Sequence, residues 1–213
     1  FLVQRHRIID RLVNRAKPEQ LIELGAGLSP RALAFADRGK PAMDVDLPDM
    51  VELKRRRLGP HGPPSYRALA VDLIEAKDYR QALEPYLQQV APTVVISEGF
   101  MAYFPVPVQQ EIFDRIAALL RSLGGGRYLA DIHHQEDVDA LGPMGQTFRT
   151  ALAAVSRNRQ RRLIDNAEAG RRMIASAGFD SLTIHHPSSF RDELGLPELE
   201  RDSGLVIYEA TIS

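Results

Sequence analysis

Five short apolar runs, each followed by an amphipathic stretch, constrain this chain more than any other feature. Gln20–Leu24, Ala42–Asp46, Tyr66–Asp72, Thr93–Glu98 and Arg127–Ile132 have the length and composition of strands. Helical periodicity marks residues 5–15, where Ile8, Ile9, Leu12 and Val13 share a face, the stretch after Ser29, and Asp49–Leu58. It continues over Tyr79–Val90, with Pro85 a kink or break, and over Pro107–Leu123. Strict alternation of this kind predicts an α/β protein on a parallel sheet. Thr93–Glu98 is β-branched and apolar, as a central strand buried on both faces should be. Gly59–Pro64 reads as a loop, and residues 136–177 hold one or two helices around Gly142-Pro143, closed by Gly178. Ser181–His186 and Leu205–Ile212 finish the chain as strands with only loop-like sequence, Pro187–Gly204, between them. The expected fold is a seven-stranded, mostly parallel sheet with an antiparallel last strand and helices on both faces. One domain is expected over residues 1–213, with 133–160 a candidate substrate-side insertion.

Composition removes several function classes. The chain has 213 residues, 44% hydrophobic and 26% charged, enough for an ordinary buried core. With no cysteine there are no disulfides, thiolate metal sites or cysteine nucleophile. A net charge of −1 argues against a dedicated nucleic-acid binder. No apolar run approaches the ~18 residues of a membrane span and no signal peptide is visible, so a cytoplasmic location is expected.

The first strand enters Glu23-Leu24-Gly25-Ala26-Gly27-Leu28-Ser29-Pro30, with Ser29 offered as an N-cap and Pro30 at the first helical position. Glycine suits a turn from strand into helix where a ligand approaches the main chain. Asp46 ends the second strand 19 residues after Gly27, where a carboxylate can take two hydrogen bonds from a ribose diol. A dinucleotide fingerprint wants a third glycine where this chain has Pro30. That opposes NAD and favours a nucleoside ligand without a diphosphate, S-adenosylmethionine first among them.

Two later carboxylates fit the same ligand. Asp72, beside Leu73, could accept the adenine amino group or simply cap a turn. Glu98 ends a buried apolar strand, which is costly unless it meets a cation or donors. The α-ammonium of S-adenosylmethionine is one such cation, and Gly99 would let the chain turn beside it.

Together, Arg5–Asp10, Glu23–Arg31, Val45–Lys54, Val71–Leu73 and Ile96–Phe104 resemble the leucine carboxyl methyltransferase family, and within it the bacterial polyketide-type O-methyltransferases of tetracenomycin type. The resemblance implies a class I S-adenosylmethionine-dependent methyltransferase (Rossmann-like) fold and methylation of a carboxylate or hydroxyl of a small molecule. It places Arg5 near the cofactor carboxylate, Gly25 and Gly27 at the cofactor backbone, Asp46 at the ribose, Asp72 at the adenine and Glu98 near the methionine moiety. Glu23, Ala26, Leu47, Leu73 and Gly99 complete the candidate cofactor-binding set. Family members usually carry an N-terminal helical segment over the site, and only a few residues precede Arg5 here, so a missing or absent cap is expected.

A carboxylate acceptor needs alignment and exclusion of water; a hydroxyl acceptor gains from a base. His133, His134 and Tyr103 are the candidate catalytic residues, and His185 and His186 could also act as bases. Tyr103 and Phe104 are candidates for the acceptor wall. No metal is expected, because adjacent histidines on a strand point to opposite faces. Lys54–Arg57 reads as a solvated helix face, and Arg157, Arg159, Arg161 and Arg162 circle their helix without forming a stripe. The alternative functions are protein C-terminal carboxyl methylation, a nicotinamide-dependent dehydrogenase and a silent cofactor-binding module.

Overall fold

The computed structural model describes residues 2–58, 62–88, 90–147, 150, 163–196 and 204–213. Its strands are β1 (Gln20–Leu24), β2 (Ala42–Asp46), β3 (Tyr66–Ala70), β4 (Thr93–Ser97), β5 (Gly126–His133), β6 (Ser181–His185) and β7 (Leu205–Ile212). The helices are α1 (Leu2–Ala16), α2 (Arg31–Ala36), α3 (Pro48–Leu58), α4 (Tyr79–Leu83), α5 (Val106–Ser122), α6 (Gln135–Ala140), α7 (Ala167–Ser176) and the four-residue α8 (Arg191–Leu194).

The strands form one seven-stranded sheet in the order β3-β2-β1-β4-β5-β7-β6. The pairs from β3 through β5 are parallel, and β7 runs antiparallel to both β5 and β6. The expected architecture therefore holds. Every residue of β1 and β4 is buried, which explains why these strands read as unbroken apolar runs. Successive residues face opposite layers: Leu21 packs with α1, α2 and Val51 of α3, while Ile22 packs with α4, α5 and α7. The order reverses between β1 and β4. A crevice opens there, beyond the carboxyl ends of the strands, because the two flanking connections leave to opposite faces.

Some local expectations shift. Over 79–88 the chain forms α4 followed by a 3-10 turn at Glu84–Tyr86, since Pro85 lacks the N–H an α-helix needs to continue. β3 stops at Ala70, and Asp72 instead accepts from the backbone of Ile74 at 2.9 Å. α2 begins at Arg31, with Pro30 in the cap position and no side-chain cap. The Ser29 hydroxyl donates inward to Glu23 at 3.0 Å while its oxygen accepts from the Arg31 N–H at 3.3 Å, so it does meet the first turn of the helix as expected. Lys54 is not on a solvated face: it is 4% exposed, ion-paired with Asp44 and donating to the Ser29 carbonyl at 2.6 Å. Arg56 and Arg57 are exposed, as expected of that helix. α6 is followed by a second helical stretch at 143–147. The four arginines at 157–162 and part of the 133–160 stretch lie outside the described residues. Among the described residues, no helix is long and apolar enough to cross a membrane.

Candidate functional site

A cavity of about 890 Å3 occupies the crevice. Its wall follows the strand order. Asp72 and Leu73 come from the end of β3, Asp46 and Leu47 from β2, and Gly25, Ala26 and Gly27 from β1. Glu98 and Gly99 follow β4, Asp131 and His133 belong to β5, and Arg5 reaches in from α1. The residues expected at a cofactor are thus brought together, with the exception of Glu23.

Asp46 shapes the glycine turn. Its two oxygens accept from the backbone N–H of Gly27 and Leu47, each at 2.7 Å. A carboxylate has about four lone-pair positions, so capacity remains for two further donors such as a ribose diol. Gly25 has φ +62, and a Cβ there would lie 2.2 Å from Cδ2 of Phe100. Only glycine gives both the left-handed backbone and the room for that ring. Gly99, at φ +65, shares the left-handed backbone, and a Cβ there would make only a tight contact, 3.1 Å from Nη2 of Arg5.

The methionine end is a charged network rather than one carboxylate awaiting a ligand. Arg5 donates to Glu98 at 3.0 Å and to Asp131 at 2.8 Å. Asp131 also accepts from the Gly99 N–H at 2.6 Å, which fixes the turn after β4. Behind this layer, Arg31 donates at 2.6 Å to each of Asp10, Glu23 and Glu98. Its Nη2 also lies 2.8 Å from His6 Nδ1. A guanidinium can only donate, so that nitrogen accepts, and its 3.2 Å approach to Glu98 is not a hydrogen bond. The cations that Glu98 meets are therefore the protein's own. Burial alone would raise the Glu98 carboxyl, but Arg31 and then Arg5 outweigh it and hold it below the usual range.

Glu23 stands apart from the cavity lining. It is 1% exposed, held by Arg31 and Ser29. Burial pushes its carboxyl up to about 7 despite Arg31. Its role here is to hold Arg31 beneath the floor of the site.

The histidines divide as strand geometry requires. His133 is buried in the cavity wall, with Nδ1 3.3 Å from the Gly204 carbonyl. A carbonyl can only accept, so Nδ1 carries the proton and Nε2 the lone pair. Burial lowers the His133 pKa, keeping the ring neutral. His134 lies outside the lining and bonds Tyr208 at 2.7 Å and Asp137 at 3.1 Å. His185 is 2.8 Å from Glu209, and His186 is exposed. Tyr103, 39% exposed, stands at the cavity mouth beside Phe104. Among the described residues no group of three or more His, Asp or Glu is placed to hold a metal ion.

Sequence reasoning missed Arg31, Asp131 and Phe100. For Asp131 a signal existed: an ionisable side chain inside the apolar run of a buried strand. Arg31 and Phe100 carried no such mark, because only the fold sets them against Glu23 and Gly25.

A family model described as leucine carboxyl methyltransferase matches residues 1–117. A protein of Mycobacterium sp. (strain JLS), provisionally named an S-adenosyl-L-methionine-dependent methyltransferase, is 31% identical over 134 residues, covering 61% of this chain and 44% of its own length. A provisionally named counterpart from Mycobacterium tuberculosis (strain H37Rv) is 34% identical over 128 residues, covering 56% and 41%. The chain thus spans less than half the length of these curated relatives. Among solved structures, magnesium protoporphyrin IX methyltransferase from Synechocystis, with bound S-adenosylhomocysteine, aligns with TM-score 0.58 at 14% identity, covering 100% of this chain and 83% of that one. Human N-acetylserotonin methyltransferase in complex with S-adenosylmethionine aligns with TM-score 0.59 at 14% identity, covering 92% and 48%. A DUF574-family protein of Streptomyces avermitilis aligns with TM-score 0.67 at 17% identity, covering 98% and 80%. At such identities the likeness shows a shared fold, that of class I methyltransferases.

Proposed function

This chain belongs to the leucine carboxyl methyltransferase family, and on that premise we propose that it transfers the methyl group of S-adenosylmethionine to an oxygen of a small-molecule acceptor. One observation carries the reading: the cavity presents its polar groups in the order in which that cofactor's parts are bonded. Asp72 with Leu73, then Asp46, then the Gly25 turn, then Arg5 with Glu98 follow one another along the strand ends. They match adenine, ribose, sulfur and amino-acid end.

The residues present fit the group chemically. Arg5 uses two of its five N–H donors on Glu98 and Asp131, leaving others able to meet a carboxylate. Asp46 keeps acceptor capacity for a diol. When bound, the cofactor supplies an electrophilic methyl on a sulfonium. The chain's own work is to align the acceptor and exclude water, worth roughly 7–11 kcal/mol for well-oriented pairs. Phe100, Tyr103 and Phe104 give the acceptor end an aromatic wall suited to an apolar small molecule. For a hydroxyl acceptor, His133, a buried imidazole in the cavity wall, is the candidate to take the proton. For a carboxylate acceptor no base is needed.

Calorimetric titration with S-adenosylhomocysteine, with NAD as control ligand, tests the proposal. Saturable binding of the first, no binding of NAD and loss of binding in Asp46→Ala are expected. Two charge-assisted hydrogen bonds are worth about 3–6 kcal/mol together, more than a hundredfold in affinity. Unchanged affinity in Asp46→Ala would sink the assignment of the ribose end. Inhibition by a C-terminal peptide would instead favour a protein acceptor.

A further inference from the structure

Of the three aromatic residues in the cavity wall, Phe100 is the one that also sits on the glycine turn after β1. Its ring rests against the bare face of Gly25, so close that a Cβ would overlap it. Phe104 meets it edge-on, with ring centres 4.8 Å apart and an interplanar angle of 66°. Glycine at 25 is thus required by the ring as much as by the backbone.

The position of this contact is set by topology. β1 lies between β2, which ends in Asp46, and β4, which leads into Glu98. A ligand whose ribose meets Asp46 and whose amino-acid end meets Arg5 and Glu98 must cross the end of β1 between them. In S-adenosylmethionine the group between those two parts is the sulfonium. A sulfonium carries positive charge but no hydrogen-bond donor of the ordinary kind. A carboxylate or an aromatic face stabilises such a charge directly. The neighbouring carboxylates are engaged: Glu98 with Arg5 and Arg31, Asp131 with Arg5 and the Gly99 N–H. What stands at the crossing is an aromatic ring, and cations are attracted to such faces within about 6 Å.

Resting on the cofactor reading above, we propose that Phe100, steadied by Phe104 and seated on Gly25, is a sulfonium-binding subsite that distinguishes the charged cofactor from its neutral product. The contact would weaken when the methyl group and the charge leave together, which favours exchange of spent product for fresh cofactor. Phe100 acts here on affinity for the charged form, beyond any share in walling the acceptor.

The test compares S-adenosylmethionine with S-adenosylhomocysteine, which differ by one methyl group and the charge on sulfur. Both are titrated calorimetrically against the full chain and Phe100→Leu. We expect S-adenosylmethionine to weaken by about 3- to 30-fold, the range of a cation over an aromatic face, and S-adenosylhomocysteine to hold. Phe100→Tyr should restore the difference. If the leucine variant fails to fold, fluorinated phenylalanines placed at position 100 keep the shape and drain the ring face. Affinity for S-adenosylmethionine should then fall stepwise with fluorine count while that for S-adenosylhomocysteine stays level. Equal weakening of both ligands, or no change in either, would overturn the subsite and leave the cofactor reading standing. Failure of S-adenosylhomocysteine to bind the unaltered chain would overturn both.

Discussion

Replacing Arg31 by alanine should be the most damaging single truncation beneath the site. The guanidinium is 5% exposed and donates to three carboxylates, of which Glu23 is 1% and Glu98 11% exposed. Arg5 still holds Glu98 in the variant, but Glu23 keeps only the Ser29 hydroxyl. Breaking a buried pair by removing one partner costs about 3–5 kcal/mol, against a total stability of about 5–15 kcal/mol for a domain. The cost must also depend on pH. In the intact protein burial already lifts Glu23 to about 7. A carboxyl raised in the fold contributes stability below its unfolded value near 4.5, and that contribution is lost as pH rises through the folded value. From pH 4.5 to 7 the parent and the variant lose this contribution alike. Above 7 the parent's loss levels off, because Arg31 lets Glu23 ionise. The variant lacks that partner and goes on losing about 1.4 kcal/mol per pH unit. Urea unfolding of both proteins at pH 6, 7 and 8 gives the gap directly from the midpoints at constant slope. A gap below about 1 kcal/mol at pH 8, or one that does not widen between pH 7 and 8, would refute the assignment of Arg31 as the counter-ion of Glu23.

Three further outcomes follow from the same geometry. Lys54→Met should cost about 3–5 kcal/mol by leaving buried Asp44 its Tyr66 hydroxyl bond but no cation, and adding Asp44→Leu should recover part of it, less the cost of the Tyr66 hydroxyl left unpaired; thermal or urea unfolding of the single and double variants decides. Gly25→Ala should cost at least about 1–2 kcal/mol for the left-handed backbone, plus displacement of Phe100, and should lower S-adenosylhomocysteine affinity; unchanged binding would show that the ring and the glycine are not jointly needed. His133→Asn should slow transfer to a hydroxyl acceptor by about 10²–10⁴-fold while leaving S-adenosylhomocysteine affinity nearly intact. Because burial lowers the His133 pKa, the parent rate should be flat above neutrality and fall only below the ordinary histidine range; an unchanged rate with a hydroxyl acceptor would show that His133 is not the base.

The helix periods and apolar runs carried the architecture. Gln20–Leu24 and Thr93–Ser97 were legible as strands because a strand covered on both faces must be apolar throughout. Pro85 was legible as a break because its ring forbids the helix whatever surrounds it. The cavity wall was legible in part: Asp46, Asp72 and Glu98 stand at strand ends, and strand ends on one edge of a parallel sheet converge. Lys54 was misjudged because a basic run on a helix says nothing about which member turns inward. Asp44, ten positions earlier on a different element, and the Ser29 carbonyl make its burial tolerable.

Local patterns in the chain suffice to place the strands and helices and the glycine turn, and to gather carboxylates at the carboxyl edge. These follow from local rules: side-chain period, backbone freedom and the cost of burying polar groups. Tertiary structure alone decided who partners whom. Glu23 and Arg31 are close in the chain, but Arg31 also gathers Glu98, 67 residues away, while Asp131 meets Arg5 across 126. Phe100 finds the bare face of Gly25 only after β1 and β4 pair. Such contacts depend on strand order and on short-range forces between distant segments. No periodicity within one segment encodes them.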